Sequence, residues 1–433
     1  MMKHASLVML LLPMAIMITD ICFGRDPEGL PVHSPPIQWI LPLEADTRVE
    51  PVRFLDSTGG LVFCSHLPSW NTGIWSEESG SVNLFDLFPA LETTTYTDLT
   101  ASASRACGFE QYGQAETILG EAFVVDQEGT QNFLGHLPHS DLQVDSDLGE
   151  VARQQLSIAR QITPDGQFVF GVSITGILAE GNPLWVRQRR ELFLWSQQTG
   201  MIGLGLIPGQ SDDLTDYSNH YIEILEIADD GTSAVGMANM LLADGVRRDL
   251  PWMWTVENGL KFQSPYGPYW TSAHSDLRMS PNGRYLAGAV TTPASENCDG
   301  FPVYAGYVWD LEQPNREGLR WIPRVEGETS VNVMGISNQG AAVLRTDRIC
   351  QQHPDFQFHY WKIGSGNTSR SRINLTELIE SRINQNTFAH RSVKSIVGIR
   401  QNGTTRILGS AGLTAFPQSQ QGFIFDLDAA LTP

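Results

Sequence analysis

The chain has 433 residues, 41% hydrophobic and 18% charged, enough apolar material for a sizeable core and too much for global disorder. Its formal net charge of −20 excludes phosphate backbones as partners. Such an acidic surface serves first for solubility, and its remaining attraction is for cations, Ca²⁺ among them. The 40 glycines and 24 prolines, spread along the chain, suit many short strands joined by turns.

The first segment stands apart. Lys3 and His4 precede an apolar run from Ala5 to Ile18, followed by Cys22-Phe23-Gly24 with small residues flanking a cut. At about 14 residues the run is shorter than the ~20 a spanning helix needs, so residues 1–24 read as a signal peptide rather than an anchor. Residues 25–36 follow as a short linker. The mature protein is then expected to be secreted, periplasmic or extracellular, without membrane insertion. Cleavage after Gly24 leaves Cys64, Cys107, Cys298 and Cys350. Four cysteines allow three pairings, with free buried thiols as the alternative. The chain lacks a C-x-x-C pair, which disfavours a thiolate metal site.

Residues 37–433 repeat one sentence. FLDSTGGLVF (54–63) is followed by GIWSEESG (73–80), and ASASRACGF (101–109) by GEAFVVDQEG (120–129). The clearest copy is ITPDGQFVFG (162–171) with ELFLWSQQTGMIGLGLIPG (191–209). IADDGTSAVG (227–236) with LPWMWT, MSPNGRYLAG (279–288) with GYVWDL, and ISNQGAAVLR (336–345) with FHYWKI continue it. IRQNGTTRILG (399–409) with GFIFDL is the last. Each copy reads as four strands, A to D, with an Asp-Gly-like hairpin turn between A and B. The second copy has lost that turn signature.

Strand C carries an aromatic column of Trp75, Trp195, Trp254, Trp309, Trp361 and Phe425, with Val125 as the exception. An isolated unit of this size cannot bury both sheet faces, whereas radial packing of seven units does. The last copy stops after its strand C. IQWILPLE (37–44) resembles the strand D segments of other units and is expected to complete that last blade. The fold predicted is an all-β, seven-bladed β-propeller of four-stranded antiparallel blades, closed by the N-terminal strand.

The pattern apolar-x-S-x-D/N-G-x-x-V-x-G, then F-x-W, then G-M-x-x-L-G resembles the HAF-type extracellular repeat of exported bacterial proteins. The turns are also similar to TolB-like propeller repeats. The resemblance spans nearly all of 37–433 and implies a propeller and export, with no assigned activity.

Sites are expected on the face of the B–C and D–A loops, because long loops on a rigid scaffold are where function concentrates. Trp185, Arg187, Arg189 and Arg190 form a basic–aromatic patch that can stack on a sugar or clamp a carboxylate. Its ordinary alternative is Trp185 packed under its own loop with the arginines paired to neighbouring acids. Asp212, Asp213 and Asp216, and likewise Asp141, Asp145, Asp147 and Glu150, offer oxygens to Ca²⁺ or are solvated charge. His136 and His139 have H-x-x-H spacing without a third ligand. The blade alignment pairs Cys64 with Cys107, near the ends of successive B strands, and Cys298 with Cys350, in successive B–C loops.

Neither G-x-S-x-G nor H-E-x-x-H occurs in the sequence. The reading is a non-catalytic binding module, a monomer without a required cofactor, for a protein, glycan or cell-envelope component. The alternative is a carbohydrate-active hydrolase or lyase with a site over the central channel.

Overall fold

The computed structural model describes residues 37–40, 48–55, 61–67, 71–88, 94–112, 119–138, 141–143, 156–179, 186–206, 222–241, 247–262, 277–292, 303–313, 317–325, 327–347, 356–364, 371–384, 391–413 and 416–432. The signal segment 1–24 and the linker 25–36 lie outside them.

The described chain is all-β apart from short helices, arranged as seven sheets of sequential antiparallel hairpins. The third sheet shows the plan. Strand A is Ser157–Ile162, B is Phe168–Ala179, C is Val186–Ser196 and D is Gly200–Gly203. A fifth strand, Asp141–Gln143, adds to this sheet in parallel with residues 176–178.

Local chemistry makes the A–B turn. Asp165 Oδ1 accepts from the Gln167 N–H (2.9 Å) and the Thr163 hydroxyl (2.7 Å), and Gly166 takes φ +73°. The fifth sheet repeats this with Asn282, Ser280 and Gly283. In the second sheet, Ala103 occupies the left-handed region at φ 51°, so the turn that lacks its Asp-Gly signal still forms.

Register explains the last glycine of the V-x-G signature. Gly108, Gly171, Gly236, Gly288 and Gly409 lie opposite Phe123, Phe193, Trp252, Tyr307 and Phe423 on strand C. A Cβ at Gly236 would overlap both the Trp252 ring and the Glu223 carbonyl of strand A, so the bare backbone makes room for an aromatic ring. The expected Trp column sits two residues further on, with Trp75, Val125, Trp195, Trp254, Trp309, Trp361 and Phe425 in equivalent register.

These side chains fill apolar clusters between consecutive sheets. One such cluster joins sheets three and four through Phe170, Leu192, Trp252 and Trp254. Another joins the first sheet to the last through Phe54, Val62, Trp75, Leu408 and Ile424. The strand Ile37–Ile40 pairs with Phe416–Asp426 of the last sheet, and Ile40 is fully buried in that same cluster. Sheets of antiparallel hairpins packed face to face in sequence around an axis are a β-propeller.

Two features depart from the sequence reading. Most of the expected B–C loop 172–190 is strand, with pairing out to Ala179 and Val186. The sixth sheet has a short strand D, Ile373–Asn374, continued by the helix Leu375–Ile383. Asn374 caps that helix through the Glu377 N–H, and Leu375, Ile379 and Ile383 bury one face between sheets six and seven.

Candidate functional site

The A strands lie innermost, and six of the seven pack against the A strand of the following sheet. Just before the A–B turn, strand A carries a bulge in six of the units described, which twists it locally and re-aims one side chain. Residues at the matching position on the seven A strands are Arg53, Asp98, Gln161, Glu226, Arg278, Gly335 and Gly398.

These residues tie neighbouring strands into a collar. Arg53 pairs with Asp98 and also donates to the Leu99 carbonyl (3.3 Å). Asp98 Oδ2 accepts the Ile162 N–H at 2.9 Å. Gln161 donates to the Leu225 carbonyl at 2.7 Å, and Arg278 to the Met334 carbonyl at 3.2 Å. Arg278 lies 3.8 Å from the Glu226 carboxylate. In the last two sheets the collar has no side chain, and a Cβ on Gly335 would stand 3.3 Å from Gly398 Cα.

Burial raises the Asp98 carboxyl above the ordinary range, against the pull of Arg53 and of the Ile162 and Leu99 N–H groups. Glu226 is likewise raised by burial, opposed by Arg278, Arg400 and Arg53. Asp229 behaves the same way, with Arg400 and Arg53 opposing. Acids and arginines from different sheets therefore act on one another along the A strands.

Beside the glycine part of the collar, at the A–B turn end, is a cleft of about 240 Å³. Asp229 comes from the fourth turn, Pro281 from the fifth, Ser337 and Asn338 from the sixth, and residues 399–402 from the seventh. Bonds between turns fix its walls. The Asp229 N–H donates to the Pro281 carbonyl (2.7 Å), the Asn282 N–H to Asn338 Oδ1 (2.8 Å) and the Ser337 hydroxyl to Gln401 Oε1 (3.0 Å).

Only some of the sequence-predicted site residues are among those described. Arg189 is buried and donates to the Thr175 hydroxyl and carbonyl, each at 3.2 Å, so its guanidinium turns back onto its own hairpin. Arg190 is its strand neighbour and projects to the opposite face. Arg187 pairs with Leu178 in the same ladder, and Trp185 lies outside the described residues. Asp212, Asp213, Asp216, Asp145, Asp147, Glu150 and His139 also lie outside them, while His136 Nε2 bonds the Gly120 carbonyl at 3.1 Å. Among the described residues, no group of three or more His, Cys, Asp or Glu gathers as a metal site.

Cys107 is a free, fully buried thiol in the cluster between sheets two and three, and burial pushes its pKa up. It faces away from the first sheet, where Cys64 resides, so the expected Cys64–Cys107 pairing does not form here. Cys298 and Cys350 are outside the described residues. Among the described residues, no helix is long and apolar enough to cross a membrane.

The collar escaped sequence reading because it takes one residue from each unit, chemically different every time. Counting back two from the first turn position of each copy would have found it.

No family model matches the chain, and no curated protein matches it. Solved structures that it resembles include the β-propeller domain of the Trilobed protease from Pyrococcus furiosus. That likeness has 8% identity over 88% of this chain and 94% of that one, with a TM-score of 0.43. An acylaminoacyl peptidase from Pyrococcus horikoshii shows 9% identity over 85% of this chain and 51% of its own, with a TM-score of 0.41. Prolyl oligopeptidase B from Galerina marginata shows 10% identity over 89% and 52%, with a TM-score of 0.43. The chain spans about half the length of these two peptidases.

Proposed function

We propose that this chain is a seven-bladed propeller, closed by Ile37–Ile40 as the outer strand of the last blade, and that it works as a non-catalytic binding module. Its ligand site is the A–B turn mouth of the channel. Export through the segment 1–24, in keeping with the HAF-type resemblance, belongs to the same proposal.

One observation carries the binding reading. The collar acids Asp98 and Glu226 are each engaged by an arginine of an adjacent sheet, Arg53 and Arg278. A glycoside hydrolase uses two carboxyl groups flanking the scissile bond, one kept protonated and one ionised. Carboxylates held as ties between A strands are instead structural, and they leave a rigid rim on which a ligand docks without reacting.

Incubation of the full chain with a panel of polysaccharides tests this. Retention of a ligand without reducing ends or unsaturated products is the expected result. Steady release of either product, lost on Glu226→Gln, would establish the hydrolase or lyase instead.

A further inference from the structure

The seven A–B turns act as internal controls for one another. In sheets two, three, five and six the first turn position is Thr100, Thr163, Ser280 and Ser337. Each hydroxyl accepts the N–H that closes the hairpin, from Arg105 (3.1 Å), Phe168 (3.0 Å), Tyr285 (2.8 Å) and Ala341 (3.1 Å). The first sheet has Leu55 there, buried at its junction with the second. The fourth has Ala228, followed by Asp229, and the seventh has Arg400.

Four of the other turns place a hydroxyl where the seventh places Arg400, and Asp229 stands where the third and fifth turns have proline. Both departures line the same cleft. They carry opposite charges, and they sit beside Ile399, next to the close approach of Gly335 and Gly398. Arg400 also pulls on the Asp229 carboxyl across this space, against the burial that raises it.

Size and charge restrict the occupant. Pockets for drug-sized ligands run to roughly 300–1,000 Å³, and this cleft has about 240 Å³. A lone anion would meet Asp229, and a lone cation would meet Arg400. A neutral sugar would desolvate both charges and match neither.

We propose that the cleft binds a small zwitterion, an α-amino acid or dipeptide, with its ammonium group on Asp229 and its carboxylate on Arg400. The inference rests on the reading of the turn mouth as the ligand site and adds the chemical class. Asn338 and Gln401 bracket the two charged anchors, and the turn-to-turn hydrogen bonds hold that geometry before the ligand arrives.

Titration calorimetry of the full chain against the twenty amino acids and a set of dipeptides tests it, with N-acetylated and C-terminally amidated versions and neutral monosaccharides alongside. At least one zwitterion should bind, and each capped version of it should bind at least about tenfold more weakly. Asp229→Asn and Arg400→Gln should each weaken binding by a similar factor, with the circular dichroism of the native chain retained. Should a variant fail to fold, the capped series on the native chain still decides.

Capped and uncapped ligands binding alike, or binding that survives both substitutions, would overturn the proposal. A monosaccharide bound in a manner lost with Arg400→Gln would also sink the zwitterion while upholding the mouth as a ligand site. Failure of every probe to bind would count against both readings.

Discussion

At the scale of single residues, the repeat is held by a steric exchange between glycine and an aromatic ring. Gly236 lies opposite Trp252, which is fully buried, and the strand A carbonyl of Glu223 closes in from the other side. Gly236→Ala should therefore cost about 3 kcal/mol, as overpacked core positions do. Adding Trp252→Leu should fail to restore stability, because the Glu223 carbonyl still blocks the new methyl. Gly80 has φ +69°, and a Cβ there would meet nothing within 4 Å, so Gly80→Ala should cost only about 1 kcal/mol of backbone strain. Denaturant midpoints of the three variants check this, and equal losses at Gly80 and Gly236 would contradict it. The glycine itself was legible in the V-x-G signature. Its reason was not, since the opposing ring lies on another strand at a distance set by loops of varying length. In the sixth sheet the pair becomes Leu344 opposite His359, and in the first it is inverted to Cys64 opposite Gly73.

At the scale of elements, turn chemistry and the strand C column announced the sheets, because both are local and recur. The helix Leu375–Ile383 also left a local signal, a capping Asn374 before apolar residues four apart, yet a search tuned to period-two alternation passes over it. The extended hairpin of the third sheet was hidden for the opposite reason. Arginines 187, 189 and 190 read as loop by polarity, while Arg189 is buried by bonding its own hairpin. The N-terminal strand is the element with the sharpest consequence. Ile40 is fully buried, Trp39 meets Phe423 edge-on at 6.3 Å, and Arg391 stacks over Trp39 at 4.6 Å. Removal of residues 1–43 should destabilise the chain by at least about 3 kcal/mol and expose Phe416–Asp426 as an open edge prone to association. A synthetic 37–44 peptide added in excess should restore the melting temperature. A truncated chain as stable and monodisperse as the full one would refute the strand exchange.

At the scale of the whole molecule, two electrostatic costs are present at neutral pH. One is diffuse, the self-repulsion of a chain with net charge −20. The other is local, in that burial raises the carboxyl groups of Asp98, Glu226 and Asp229. An acid whose pKa is raised in the folded state binds protons more tightly there than in the unfolded chain. Its contribution is complete below its unfolded value, 4.5 for Glu226 and 3.8 for Asp229, and is lost as pH rises through the folded value. His359 works the other way. Burial and Arg372 lower its pKa, so its contribution is present above 6.5 and is lost as pH falls through the folded value. Three raised acids and the diffuse term outweigh one histidine, and the melting temperature should rise as pH falls from neutral toward about 5. Salt screens exposed charge far more than buried charge. In high salt the rise should therefore shrink without vanishing, and in the Glu226→Gln, Asp229→Asn double variant under the same salt it should shrink further. Thermal melts across pH at two salt concentrations separate these parts. If high salt abolished the rise entirely, repulsion across the surface would account for all of it, and the channel acids would have no share in the pH dependence of the fold.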